Sequence, residues 1–172
     1  MDADAVVQLL QLEPIPHEGG YFRRTWTTDQ GIDGEGAANL GRGQPMGTVI
    51  YALFTRVQFS ALHRLRSDEV WHFYAGDPVD LLLLWPDGES RRFRLGPDLA
   101  GGELPQCVVP GGVWQGARPK LSGAAGWSLV GCSMSPGFMS SDFELGDRKY
   151  LQAKYSSQAE WIAELTRDVI IG

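Results

Sequence analysis

The chain of 172 residues contains little of several residue types, and each shortage excludes a class of protein. Its two cysteines, Cys107 and Cys132, are too few for a disulfide scaffold or a four-cysteine zinc site. Basic residues number 15 against 21 acidic ones, and the net charge of −6 argues against nucleic acid as a partner. The longest apolar run, residues 79–85, contains an aspartate and is far shorter than the roughly 20 residues of a membrane span. We therefore expect neither a nucleic-acid nor a membrane partner.

What the chain does contain is typical of a soluble globular protein, with 43% apolar and 21% charged residues. Its length suits one domain, which we predict to span residues 1–172. The N-terminus, MDADAVVQLLQL, is acidic where a secretory signal peptide would be basic. We therefore expect a cytoplasmic location.

Hydrophobic patterning predicts a short helix at each end and strands between them. Val6, Leu9 and Leu10 are spaced as one face of a helix in the first dozen residues, and Trp161 with Ile162 marks a second helix within 156–168. Turns rich in proline and glycine divide the middle of the chain, and the glycine-rich segment 29–45 is predicted to be a mobile excursion between two strands. This pattern is typical of an all-β sandwich or barrel. The predicted strands are 21–27, 48–54, 70–74, 79–85, 90–95, 106–109 and 127–133.

Residues suited to acid–base chemistry concentrate in the segment 60–76. Two of the three histidines, His63 and His72, lie in it, together with two carboxylates, Asp68 and Glu69, and several aromatic residues. Side chains alternate between the two faces of a strand. The alternation predicts that Glu69, Trp71 and Phe73 share one face, while His72 and Tyr74 share the other.

Four motifs in order carry a resemblance to a known family. They are EGGYF at 18–22, SDEVWHFYAG at 67–76, VPGGVWQ at 109–115 and PGFMSSDFEL at 136–145. The sequence resembles the cupin superfamily and, within it, cupin family 5. The resemblance implies an all-β double-stranded β-helix, the cupin jelly roll, with short N- and C-terminal helices, similar to the dTDP-sugar 3,5-epimerases. It also implies a homodimer, which an open sheet edge would favour.

The sequence departs from the cupin metal motifs at two ligand positions. Leu65 and Gln115 stand where the family usually has histidines, so that His63 and Glu69 are the ligands left. The motifs therefore require no cofactor. A divalent metal held by His63, Glu69 and Gln115 is the alternative left open, because carboxylate, amide and imidazole are all metal ligands.

The open end of a jelly roll is the expected pocket for a small molecule, and several residues are candidates for catalysis there. His63 is a candidate general base, with Glu69 as its orienting partner or as the base itself. Tyr51 or Tyr74 is a candidate proton donor.

Candidate contacts to the ligand come from aromatic, basic and amide side chains. Arg23 or its neighbour Arg24 would hold a phosphate or carboxylate, and aromatic rings would form flat walls for a sugar or a base. The candidate ligand-binding residues are Tyr21, Arg23, Trp71, Phe73, Trp114 and Gln115.

These groups together suit proton abstraction next to a carbonyl. The leading hypothesis is an isomerase or epimerase of a carbohydrate or nucleotide-sugar. A non-catalytic small-molecule binding protein or sensor and a divalent-metal oxygenase are the alternatives. A structural interpretation also stands: His63 and Glu69 would form a buried hydrogen-bonded pair, and the aromatic residues would fill the core.

Overall fold

The computed structural model describes residues 1–29 and 43–167, which form two antiparallel β-sheets and three short α-helices. The first sheet has six strands in the order β1-β2-β3-β10-β5-β8, and the second has five in the order β11-β4-β9-β6-β7. The six strands are β1 (Glu13–Pro14), β2 (Tyr21–Thr27), β3 (Thr48–Thr55), β10 (Trp127–Met134), β5 (Glu69–Gly76) and β8 (Gln106–Val109). The five are β11 (Glu144–Leu145), β4 (Ser60–Arg64), β9 (Trp114–Pro119), β6 (Val79–Leu84) and β7 (Ser90–Leu95).

The main core lies between the two sheets. Phe54 and Trp71 from the first sheet pack in one cluster with Leu81, Leu83 and Ala117 from the second. Every residue of β6 is buried, because the C-terminal helices cover the other face of the second sheet. The architecture is the all-β jelly roll that the motifs predict.

The helices cover the outer faces of the sheets. Helix α1 (Ala3–Leu10) is capped by Asp2, whose carboxylate accepts a hydrogen bond from the Ala5 amide at 2.9 Å. It packs Val6 against Leu53 on the first sheet. Helices α2 (Arg148–Lys154) and α3 (Ala159–Glu164) pack on the second sheet, where their buried residues Leu151 and Ile162 belong to one apolar cluster. No helix in the described ranges 1–29 and 43–167 combines the length and apolar character needed to cross a membrane.

Most predicted elements are present, and the differences have local causes. Strands 21–27, 90–95 and 106–109 have the predicted bounds, and both terminal helices form. Leu9 is 68% exposed, since Val7 rather than Leu9 joins Val6 on the packed face. Helix α2 was not predicted, because its sequence RKYLQAK offers a single buried residue to the sheet. The glycine-rich segment 29–45 lies largely outside the described residues.

Candidate functional site

A cavity of about 480 Å³ opens between the sheets. Part of its floor is formed by every second residue of β3, from Thr48 to Phe54. The residues between them face outward, because side chains alternate between the two faces of a strand. Most of the walls are aliphatic or aromatic, and the lining includes Ile15, Phe22, Ile50, Phe54, Leu65, Trp71, Met134, Phe138 and Phe143. The polar groups in this lining are His17, Glu18, Arg24, Thr48, His63, Glu69, Cys132 and Ser140.

Glu69, Trp71 and Gln115 form a hydrogen-bonded network at the cavity wall. The Glu69 Oε2 atom accepts hydrogen bonds from Gln115 Nε2 at 2.7 Å and from Trp71 Nε1 at 3.1 Å. Trp71 Nε1 also donates to Gln115 Oε1 at 2.8 Å, which closes the network. Both polar atoms of the Gln115 amide are therefore used, and they fix the orientation of the Glu69 carboxyl group.

The pKa of Glu69 is raised from its usual value of 4.5. Removal from water is the main cause, because burial disfavours the charged carboxylate. His63 and the two hydrogen-bond donors oppose this shift, while nearby Glu18 adds to it. Since Oε2 already accepts two hydrogen bonds, Oε1 is the oxygen that can carry the added proton.

His63 lies on β4 directly opposite Gln115 on β9, so the two side chains share the inner face. Its Nδ1 atom is 2.8 Å from the carbonyl oxygen of Ala61. A carbonyl only accepts hydrogen bonds, so Nδ1 carries the hydrogen and Nε2 of the neutral ring is an acceptor. The ring stacks on Phe143, with centroids 5.2 Å apart. The structure thus brings together His63, Glu69 and Gln115.

Glu18 completes the polar wall, and sequence reasoning did not select it. Its Oε1 atom accepts a hydrogen bond from Ser60 Oγ at 2.7 Å and lies 3.9 Å from Nδ1 of His63. The preceding residue, His17, has a φ of 66°, an uncommon conformation for a residue with a side chain. The pair of glycines after Glu18 in the EGGYF motif was the available signal, because it marks a turn that carries a carboxylate.

Arg167, near the end of the described chain, holds this turn in place. Its Nε atom donates to the Glu18 carbonyl oxygen at 3.1 Å, and an NH2 nitrogen donates to the Phe59 carbonyl oxygen at 3.0 Å. The guanidinium also lies over the Phe59 ring, 4.2 Å from its centroid. These contacts tie the C-terminal segment to the backbone that carries Glu18.

Cys132 lies in the floor of the cavity beside Glu69. Burial, together with the neighbouring Glu69 and Glu18 carboxyl groups, raises the pKa of the Cys132 thiol well above its usual 9.0. The thiol is therefore protonated near neutral pH and is not a nucleophile. Cys107 is also buried, and burial raises the pKa of its thiol.

Several predicted site residues lie outside the cavity. Tyr51 and Tyr74 project from the outer face of the first sheet, where their rings meet edge to face with centroids 5.9 Å apart. Arg23 lies over the Tyr51 ring on the same outer face. Tyr21 packs there with the cluster under α1. Strand alternation explains all four placements, and it turns Arg24 rather than Arg23 toward the cavity.

Of the three remaining aromatic candidates, one lines the cavity and two pack in apolar clusters. Trp71 lines the cavity, and Phe73 packs against the core between the sheets. Trp114 points to the opposite face of β9 from Gln115 and packs under the C-terminal helices, with Arg64 over its ring. Trp114 therefore belongs to the apolar cluster between the second sheet and the C-terminal helices.

Comparison with known families agrees with this architecture. The family described as "Cupin superfamily (DUF985)" matches residues 4–146. The chain belongs to this cupin family. A curated relative, "Uncharacterized protein YML079W" of Saccharomyces cerevisiae, is 31% identical over 104 residues, which are 57% of this chain and 52% of that protein. The match thus spans about half the length of that relative.

Solved cupin structures resemble this one at two levels. A hypothetical protein from Leishmania major is 34% identical with a TM-score of 0.86, covering 98% of this chain and 100% of that one. Protein SO0799 from Shewanella oneidensis is 35% identical with a TM-score of 0.84, covering 97% and 98%. A mutant of Bacillus subtilis oxalate decarboxylase is 13% identical with a TM-score of 0.53, covering 91% of this chain and 38% of that one, and this likeness shows the fold alone.

The polar residues of this cupin fit a resident metal poorly. Of the three predicted ligands, Gln115 has both its amide atoms engaged by Trp71 and Glu69. Leu65, at a position where the family usually has a histidine, presents a hydrocarbon side chain to the cavity. Within residues 1–29 and 43–167, no group of three or more histidine, cysteine, aspartate or glutamate side chains is arranged to hold a metal ion. Of the predicted ligands, His63 and Glu69 are the two that remain. Stable sites for divalent transition metals usually have three or four protein ligands.

Proposed function

We propose that this cupin binds a small organic molecule in its cavity and catalyses proton transfer at a carbon next to a carbonyl group. One observation carries the proposal. A proton acceptor, Nε2 of His63, and a carboxyl group whose burial favours the protonated form, Glu69, line the same cavity. A neutral base paired with a neutral acid suits enolisation, which needs a proton removed from carbon and one delivered to oxygen.

The proposed first step is an enolisation with balanced protons. His63 Nε2 takes the proton from the carbon, and the electron pair of the broken C–H bond forms the carbon–carbon double bond of the enol. Glu69 delivers its proton to the carbonyl oxygen and becomes a carboxylate. The Glu18 carboxylate, 3.9 Å from Nδ1 of His63, then stabilises the imidazolium ion.

The second step returns both protons and regenerates the site. The Glu69 carboxylate takes the enol proton, and the imidazolium gives its proton to a carbon of the enol. Delivery to the opposite face of the same carbon epimerises the molecule. Where that carbon also carries a hydroxyl group, the intermediate is an enediol: the Glu69 carboxylate then takes the proton of this second hydroxyl, the imidazolium protonates the former carbonyl carbon, and the molecule is isomerised. No oxidant or reductant is consumed.

The carbohydrate and nucleotide-sugar form of this hypothesis stays a prediction. The walls of the cavity do not favour it, because sugars need many polar contacts and most of the lining is aliphatic or aromatic. The tyrosines selected as proton donors project from the outer face, so Glu69 takes that role in the proposal. The homodimer is a further prediction. Edge strand β8, with Val108 half exposed, is an open edge that a second copy would cover.

Solvent deuterium uptake tests the proposal. A panel of small ketones and aldehydes is incubated with the protein in heavy water, and loss of carbon-bound protons is followed by NMR. We expect uptake by at least one compound with the wild type, a loss of about 100-fold or more with His63→Ala, and no change with His72→Ala on the outer face. No uptake by any compound, or equal uptake by His63→Ala, would contradict it.

A non-catalytic binding protein is the second candidate, and the apolar cavity favours it. Phe138 and Phe143 from the C-terminal motif line the cavity, and the latter stacks on His63. A binding protein needs such walls and no proton transfer. A compound that raises the melting temperature but exchanges no carbon-bound proton would support this candidate.

A further inference from the structure

Arg24 is a cationic side chain at the cavity that pairs with none of the residues the structure describes. It lines the cavity and is exposed, so it stands where the cavity meets solvent. Across residues 1–29 and 43–167, no hydrogen bond or ion pair engages its guanidinium. Arg23 beside it faces the other way and lies over Tyr51. The inner guanidinium is therefore available to a ligand, and it prefers a carboxylate or phosphate.

The register of the first sheet places Arg24 in line with the polar wall. Arg24 pairs with Ile50, Ile50 with Cys132, and Cys132 with Trp71, so these four residues form one row across four strands. Three strand spacings separate the ends of the row, which amounts to about 14 Å. Ile50 and Cys132 form the floor between them, and Trp71 hydrogen-bonds to Glu69.

The Glu18 end of the cavity is equally distant from Arg24. Arg24 lies four residue steps along extended backbone from Gly20, beside the Glu18 turn, which amounts to about 13 Å. A negative group on the ligand is thus attracted to Arg24 and repelled by Glu18. The apolar rings of Phe22 and Phe54 line the space between these ends.

From this arrangement we propose that the ligand is an amphiphilic organic anion. Its carboxylate or phosphate pairs with Arg24 at the mouth, its apolar body of about one aromatic ring lies on Ile50 and against Phe54, and its carbonyl group reaches Glu69 and His63. The assignment of the carbonyl end rests on the proposed function. The assignment of the anionic head and apolar body rests on Arg24 and the cavity walls alone.

Binding measurements with matched probes test the inference. The probes are para-acetylbenzoate, para-acetylphenyl phosphate, the neutral para-methylacetophenone, and glucose phosphate, which has an anion on a polar body. Each is titrated by calorimetry into wild type, Arg24→Gln and the outer-face control Arg23→Gln. We expect an aromatic anion to bind the wild type and Arg23→Gln within about twofold of each other, and Arg24→Gln at least about 10-fold more weakly. The neutral ketone should bind the wild type and Arg24→Gln alike.

Four outcomes would overturn the inference. Two concern the wild type: glucose phosphate binds more tightly than both aromatic anions, or neither aromatic anion binds at millimolar concentration. Two concern the variants: Arg23→Gln and Arg24→Gln weaken anion binding equally, or the neutral ketone binds the wild type and Arg24→Gln with different affinities. The ratio between the carboxylate and the phosphate identifies the head group. Deuterium uptake by the acetyl methyl group is read separately. Tight anion binding without uptake would retain the anionic head and apolar body and overturn the placement of the carbonyl group at Glu69 and His63. Uptake that does not depend on Arg24 would retain the proposed proton transfer and overturn the anionic head.

Discussion

The two faces of strand β5 carry similar side chains in opposite environments. On the inner face, Glu69 and Trp71 are buried and joined to Gln115 by short hydrogen bonds. On the outer face, His72 contacts Ser133 Oγ at 3.0 Å, and Tyr74 is 46% exposed and packs edge to face on Tyr51. Residue type alone therefore does not distinguish a site from a surface.

The difference shows what an enclosed position adds to a titratable group. Burial raises the pKa of Glu69, and each of its contacts comes from a side chain whose own orientation is fixed. His72 and Tyr74 stack with ring centroids 6.5 Å apart on the outer face, where Tyr74 is 46% exposed and partial burial raises the pKa of its phenol. The inner face thus holds a buried carboxyl group in a closed hydrogen-bonded network, and the outer face holds stacked rings that are partly open to solvent.

The largest expected difference between the two faces is in activity, which is measured with one variant from each face. Glu69→Gln retains an oxygen that accepts from Trp71 and Gln115 but has no proton to transfer, so we expect deuterium uptake to fall about 100-fold or more. Tyr74→Phe should change the rate by less than about twofold. Both rates are measured by NMR in heavy water. Equal losses in the two variants would mean that the two faces do not differ in function.

A second test concerns stability, with one glycine from each side. Gly20 has a φ of 81°, and a Cβ there would lie 2.5 Å from Phe54 Cδ1 and 2.9 Å from the Leu53 carbonyl oxygen. Gly20→Ala should therefore lower the free energy of unfolding by about 3 kcal/mol, from backbone strain and a clash with a buried ring. Gly131→Ala would displace the partly exposed Tyr74 ring, at about 1 kcal/mol.

Urea unfolding followed by tryptophan fluorescence measures both free energies. The wild type is the reference, and near-UV circular dichroism checks that each variant retains its tertiary packing. A larger loss from Gly131→Ala than from Gly20→Ala would reverse the comparison.

The smallest expected effect is a pH dependence of stability. Because burial raises the pKa of Glu69 above 4.5, the folded chain keeps a proton that the unfolded chain has released. The contribution of Glu69 to the free energy of unfolding should therefore fall as the pH rises above 4.5, until Glu69 ionises in the folded state. Urea unfolding of the wild type and Glu69→Gln over this range isolates the contribution. A difference between the two that grows with pH in favour of the wild type would contradict the raised pKa.

Alternation along strands made part of the site predictable from sequence. The motif around Glu69 and the period of two residues placed Trp71 on the same face as Glu69, and His72 with Tyr74 on the other, as the structure has them. The same rule should have separated Trp114 from Gln115, since neighbours on a strand cannot line one cavity. Strand β9 is not predicted from the sequence, because WQGARP contains a glycine and a proline, which are uncommon within strands.

Features that depend on distant contacts could not be predicted. Glu18 reaches His63 only because Ser60 and Arg167, far away in sequence, hold its turn. Sequence alone shows that Arg23 and Arg24 face opposite ways, but the choice between them depends on the register of β2 with β3.

The two hydrogen bonds from Arg167 have a consequence for biosynthesis. The carbonyl oxygens that they reach belong to Glu18 and Phe59, which are synthesised long before the arginine. A nascent chain still inside the ribosome at residue 167 therefore lacks the final clamp on the Glu18 turn. The clamp therefore forms only after the described residues that line the cavity, the last of which is Phe143, have been synthesised.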